Sequence, residues 1–276
     1  IAGTRTGLTG SSKTLFEAMT IDSRFYPYLV YQESSGKNSL PNYITNAYYR
    51  RSFANIGLFV KTNIWITTHG DFGIPIDYKK YKQERMELWH GIPFKGFLKE
   101  NRSKIADDFN KASAVIVTSK FFEKVFEKEW NVKKGILRDL GQPRTDMLIK
   151  KPISIEKVKH NLGISQEKII FYAPTHEQDE ELEKELFPWG SDETFAKIME
   201  SIDENTALII RPHPYWKERI SKNIMNQIKN CENVYYLPTQ KVNSAEHLIY
   251  ISDLLITDWS SIYFDFLLMN KPTIFL

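Results

Sequence analysis

The chain has 276 residues, 42% hydrophobic and 13% aromatic, which supplies a real core, excludes wholesale disorder and fits one large domain or two modest ones. Its one cysteine, Cys231, excludes an intrachain disulfide and fits a reducing compartment. The net charge of +3 hides an asymmetry: between Lys79 and Lys151 there are 18 Lys/Arg against 10 Asp/Glu, a local surplus of eight. Such a stretch suits a phosphorylated substrate, an anionic membrane surface or nucleic acid, or is simply a solvated face. No targeting signal is visible, and Asp253, Asp258 and Asp265 interrupt the apolar run near the C-terminus, so that run is no membrane span. The chain opens on Ile and closes on "KPTIFL", which reads as a buried strand, so a longer parent protein is expected.

In chain order, two apolar runs end in His-Gly: "IWITTHGDFG" at His69-Gly70 and "ELWHGIPFKG" at His90-Gly91. A glycine there lets a ligand approach the backbone, Lys95 supplies a point charge, and Trp89 reads as core. On local sequence the two histidines are equivalent candidates. "ASAVIVTSKFFEKVFEKEW", from Ala112 to Trp130, predicts a strand, a Ser/Thr turn and an amphipathic helix. The segment "LGQPRTDMLIKKPISIEKVKHNLGIS" carries two prolines and a charge cluster, which places a linker near Lys150 to Ile155 and domains at 1–152 and 153–276. Beyond it, "KIIFYAPT", "TALIIRPHP", "NVYYLP" and "DLLITDWSS" predict strands, separated mostly by helices that include Thr194 to Asp203 and Lys217 to Asn230. Alternating strands and helices argue for an α/β fold with parallel sheets, whose ligands sit beyond the carboxyl ends of the strands.

Those strand ends carry the candidate chemistry. In "LLITDWSS" the strand Leu254–Thr257 feeds a four-residue loop and a helix opening near Ser260 or Ser261. Hydroxyls and free N–H groups there make an anion site, or Asp258 or Ser260 is an ordinary N-cap. In "LIIRPHPYW" the strand ends at Arg211, and His213 is held between Pro212 and Pro214, which restricts the direction of its imidazole. Arg211 offers a planar fork to phosphate, while the bland alternative is a satisfied histidine in a rigid turn. Thr175 and His176 follow the strand of "FYAPTHEQ", and Glu177 to Glu185, with six acids and one lysine, reads as an exposed segment. No Asp-x-Asp element, no His/Cys metal spacing, no P-loop and no G-x-S-x-G elbow is present, so no metal site is assigned.

The motifs "LWHGIPFKG", "LGQPRTDML", "FYAPT", "LIIRPHP" and "ISDLLITDWSSIYFDFLLMNKPTIF", in this order over roughly residues 85 to 276, resemble the CDP-glycerol glycerophosphotransferase family, and "GLTGSSKTLFEAM" resembles a weaker upstream element of it. Family members build teichoic acids and related phosphate-containing capsule polymers. The resemblance implies a GT-B architecture, two Rossmann-like domains with a cleft between them, acceptor on the N-terminal side and nucleotide donor on the C-terminal side. It assigns His90 and His213 as the catalytic pair and sets His69 aside. Ser260 and Ser261, with Thr257, Asp258, Thr175 and Arg211, are expected to hold the donor diphosphate; Gly91 and Lys95 are expected to contact acceptor or phosphate. Two departures stand out: Trp259 replaces the usual Tyr, and His176-Glu177 replaces an aromatic-Arg pair.

The resemblance further implies CDP-glycerol or CDP-ribitol as donor, a polymer or lipid-linked acceptor, CMP as leaving group and no firmly implied cofactor. The expected location is peripheral, on the cytoplasmic face of the bacterial membrane, against its anionic surface. Two rivals are a GT-B glycosyltransferase using a nucleotide sugar and a non-catalytic polymer- or nucleic-acid-binding module. The module leaves the strand-end histidines unexplained, and no nucleic acid partner is expected.

Overall fold

The apolar runs become strands, and among the described residues every paired strand is parallel to its neighbour. The computed structural model describes residues 8–31, 40, 43–71, 74–92, 99–175, 192–212, 222–258 and 260–276. Two compact units divide the chain, Ile1–Asp146 and Met147–Leu276.

In the first unit, strands β3 (Ile64–Thr67), β4 (Glu84–Glu87), β5 (Ala114–Val117) and β6 (Leu137–Asp139) lie in that order in one sheet, beside a two-stranded pair of β1 (Leu29–Tyr31) and β2 (Ala47–Tyr49). Alternate side chains serve opposite faces, as the two-residue strand period requires. Ile66 and Ile116 pack with Phe16 of helix α1 (Gly10–Thr20). Val115 and Val117 pack instead with Phe109 of α3 (Lys99–Phe109) and Phe126 of α4 (Lys120–Lys128). A sheet covered on both faces explains why its strands read as continuous apolar runs. The helix expected after "AVIVTS" is α4, capped by Ser119, whose Oγ accepts the N–H of Phe122 at 3.3 Å.

The second unit has the strand order β11-β10-β7-β8-β9, with β7 (Lys168–Tyr172), β8 (Thr206–Ile210), β9 (Val234–Tyr236), β10 (Leu254–Thr257) and β11 (Thr273–Phe275). Helices α9 (Ala245–Ile251) and α10 (Ile262–Leu267) pack on the face of Phe171, Ile209 and Leu255. On the other face, α7 (Asp192–Ser201) and α8 (Lys222–Asn230) cover Tyr172, Leu208 and Ile210. The chain winds outward from β7 to β9, then crosses back to lay β10 on the other side of β7. That reversal is a topological switch point, so the loops after β7 and β10 share one crevice at the carboxyl edge.

One expectation needs correcting. "KPTIFL" does form a strand, but in this structure β11 is the outermost of the described strands, with Ile274 and Phe275 46% and 55% exposed rather than buried. The stretch expected as a linker holds a short non-helical segment, 151–154, between helices α5 (Asp146–Lys150) and α6 (Ile155–Leu162), and Ser154 Oγ caps α6 by accepting the Lys157 N–H. Leu148 of α5 already belongs to the second unit's core.

Candidate active site

The carboxyl ends of β3 and β4 meet around one buried acid. Parallel register pairs Thr67 with Glu87, and the Glu87 side chain is fully buried. Its Oε2 accepts from the Thr67 hydroxyl at 2.5 Å and from the Gly70 N–H at 3.0 Å; its Oε1 accepts from the Trp89 N–H at 3.0 Å. One carboxyl group therefore ties both strand-end turns together. Both turns are left-handed where they bend, with φ 71° at Gly70 and 58° at Trp89. Only glycine fits the first, because a Cβ there would lie 2.7 Å from Asp108 Oδ2. A left-handed tryptophan costs about 1–2 kcal/mol. Its N–H bond to Glu87 and its edge-on packing against Phe109 and Trp130 offset that cost.

Continued by count, the register would set His69 beside Trp89. The left-handed turn at Trp89 ends the strand, and His90 takes that place instead. The two imidazoles stack face to face, centroids 4.0 Å apart and planes within 3°. The Nδ1 of His90 lies 2.8 Å from the Thr68 carbonyl oxygen. A carbonyl only accepts, so Nδ1 carries the hydrogen and Nε2 of the neutral ring is left as a proton acceptor. Burial among protein atoms lowers the pKa of His90; the bond to Thr68 works against that, and the Arg144 guanidinium adds to it. Burial also pulls His69 down to about 4, reinforced by His90 beside it. Both residues are nonetheless exposed, so solvent still reaches the pair while its stacked faces are covered. Burial raises Glu87 to about 7, against the opposing pull of Thr67, Arg85 and the Trp89 N–H.

This turn is braced from far along the chain. Gln142 donates from Nε2 to the Leu88 carbonyl at 2.8 Å and accepts from the Ser11 hydroxyl, also at 2.8 Å. Arg144 donates to the His90 carbonyl at 3.3 Å. "GQPRTD" and "TGSSKT" thus act together as supports for "LWHG", a role their sequences alone did not declare. Beneath Gly70, the buried Arg85 pairs with Asp108 at 2.9 Å and anchors α3 to the sheet.

At the switch point of the second unit, Asp258 accepts from the Thr175 N–H, at 3.1 and 3.0 Å to its two oxygens, and from the Thr175 hydroxyl at 2.5 Å. Thr257 is fully buried and donates its hydroxyl to the Ala173 carbonyl at 2.7 Å. These three expected donor-site residues hold the loops after β7 and β10 to each other. Arg211 is likewise engaged, donating to the carbonyls of Val242 and Leu237 at 2.7 and 3.4 Å and to Thr239 Oγ1 at 3.4 Å. Burial lowers its pKa to about 10, with Glu246 opposing. Ser260 and Ser261 are half-buried at the start of α10, and Ser261 makes no side-chain cap bond. The ordinary capping role considered for Asp258 is not the one it plays.

Of the remaining expected residues, Gly91 is half-buried and is not among the left-handed glycines, so the conformational demand falls on Trp89 instead. His213, Lys95, Trp259, His176 and Glu177 lie outside the described residues. Among the described residues no cluster of His, Cys, Asp or Glu could hold a metal ion. There too, no helix is long and apolar enough to cross a membrane. The sequence reading missed Glu87, Gln142, Arg144 and Ser11, and it set His69 aside.

The fold resembles that of the wall teichoic acid polymerase TagF, with a TM-score of 0.77 at 18% identity, over 100% of this chain and 68% of that one. The expected α/β architecture of GT-B type is thereby borne out. A more distant likeness, TM-score 0.55 at 14% identity, is to Anabaena HepE in complex with UDP and glucose, over 96% of this chain and 76% of that one. A teichoic acid poly(glycerol phosphate) polymerase of Bacillus spizizenii is 25% identical over 282 residues, 95% of this chain and 69% of its own length. A teichoic acid glycerol-phosphate transferase of Staphylococcus aureus is 25% identical over 218 residues, 72% of this chain, which spans only 53% of that relative. The family model for CDP-glycerol:poly(glycerophosphate) glycerophosphotransferases matches residues 2–276. The chain belongs to that family.

Proposed function

We propose that the protein transfers a polyol phosphate, glycerol phosphate above all, from a CDP-activated donor to a hydroxyl of a teichoic-acid or capsule polymer. Family membership and the names of its relatives support the reaction class. The observation that carries the reading is the fixed tautomer of His90, whose Nε2 is left as an acceptor at the end of β4. In this mechanism Nε2 takes the proton of the acceptor hydroxyl, and that oxygen attacks the β-phosphorus of the donor. A new P–O bond forms as the bond to CMP breaks, and CMP leaves with the electron pair. His213 and Arg211 are assigned to the phosphate, and Ser260 and Ser261, at the start of α10, to the donor diphosphate. Thr175, Thr257 and Asp258 act by holding those loops in place. The first unit serves the acceptor and the second the donor. Association is peripheral, through basic side chains at an anionic membrane on its cytoplasmic side.

HepE, bound to UDP and glucose, keeps a nucleotide-sugar transferase as the second reading. A donor panel separates the two: the protein is incubated with acceptor and CDP-glycerol, CDP-ribitol or UDP-sugars, and nucleotide release and product length are followed. CMP release with polymer growth supports the proposal, whereas turnover of UDP-sugars alone contradicts it.

A further inference from the structure

His69 is the residue the motif reading set aside, and its placement gives it a task. We infer that His69 is a positioning residue for the general base: its ring forms one wall of the slot that holds the His90 imidazole. The inference rests on the proposal that His90 is that base.

Three contacts define the slot. His69 covers one face of the His90 ring at 4.0 Å, with planes 3° apart. Trp89 flanks it at 4.1 Å with a 42° tilt. The Thr68 carbonyl fixes the ring edge through Nδ1. His69 is itself steered by its neighbour, since its Nδ1 lies 2.9 Å from Thr68 Oγ1. Thr68 therefore orients both rings, one through its carbonyl and the other through its hydroxyl.

Parallel rings at this separation present faces to each other, so no N–H of one points at a nitrogen of the other. Direct proton transfer within the pair is excluded by that geometry, and His69 is not a relay. Its effect is mechanical and electrostatic. An aromatic face limits rotation of the base and keeps water from one side of it. When His90 takes up a proton, the positive charge lies over a neutral π face, a favourable arrangement. A second proton on His69 would face like charge at stacking distance and is disfavoured, so the pair takes one proton at a time. Among the described residues, the other charged or titratable groups around the pair are Glu87 of β4, Asp71 after β3, Asp108 of α3 with its partner Arg85, and Arg144. None of these described groups supplies a second ring face.

The test compares His69→Ala, His69→Asn and His69→Phe in the full-length protein, following CMP release from CDP-glycerol and His90 itself by imidazole 15N NMR. Alanine removes the wall, asparagine keeps a polar partner for Thr68 without the ring, and phenylalanine keeps the ring without the nitrogens. The expected result is a fall in kcat of about tenfold for Ala and Asn with KM little changed, and recovery to within about threefold for Phe. In the NMR arm, His90 in the Ala and Asn variants loses its pure Nδ1–H tautomer and titrates closer to 6.5; in the Phe variant it keeps both the tautomer and the lowered pKa. Unchanged kcat and an unchanged His90 titration in the Ala variant would overturn the inference. So would a folded Phe variant as impaired as Ala. If wild-type protein releases no CMP, the proposed function fails, yet the NMR arm still reads the stack.

Discussion

At the scale of single residues, the site is governed by three groups whose protonation the fold displaces from ordinary values. His90 and His69 are pulled down, so both rings are neutral at pH 7 and His90 is ready to accept a proton without deprotonating first. Glu87 is pushed the other way, to about 7 from 4.5, chiefly by burial. A raised folded pKa means that the folded state binds the proton more tightly than the unfolded chain does. The stability this confers is complete below about pH 4.5 and is lost as pH rises through about 7. The histidines act in the opposite sense, losing stability as pH falls below 6.5, so the total curve mixes both. Glu87→Gln isolates the carboxyl. Relative to wild type, the variant is expected to gain roughly 2–3 kcal/mol between pH 5 and pH 8.5, read as urea unfolding free energies at each pH. A difference that stays flat across that range would show that Glu87 is ionised throughout and that burial does not control it.

At the scale of elements, strand ends matter more than the strands. Apolar runs announced β7, β8, β9 and β10 with little ambiguity, because a parallel sheet covered on both faces needs continuous apolar sequence. Leu254–Thr257 is the observed β10, and the four-residue loop after it leads into α10 as the sequence reading expected. What those loops do was less legible. "APT" and "TDWSS" looked like ligand groups, but Asp258 spends its carboxylate on Thr175, and Thr257 its hydroxyl on Ala173. The sequence shows that a side chain can accept or donate, and only the strand order shows that β7 and β10 are neighbours able to satisfy each other. His69 illustrates the same limit. The motif order favoured His90 alone, while the β3–β4 register and the left-handed turn at Trp89 put the two rings in contact. Likewise, Ser11 reaches Gln142 across 131 positions, a separation at which no local pattern reports proximity.

At the scale of the whole molecule, two parallel-sheet units carry different halves of the proposed reaction, base on the first and diphosphate site on the second. The basic stretch lies mostly in the first unit, and Lys124, Lys128, Lys133, Lys134 and Arg138 are exposed there. Sedimentation with anionic vesicles is expected to be strong at low ionic strength and to fall steeply towards 0.5 M salt, where the Debye length drops to about 4 Å. Equal binding to neutral vesicles, or no binding at low salt, would contradict the proposed peripheral attachment. The central claim is that His90 is the base in polyol-phosphate transfer, and its most direct test is the rate of CMP release from CDP-glycerol by wild type and His90→Ala at saturating donor. A loss of about 10²–10⁴-fold in kcat, with CDP-glycerol binding retained, is the predicted result. A variant that releases CMP at near wild-type rate would contradict it.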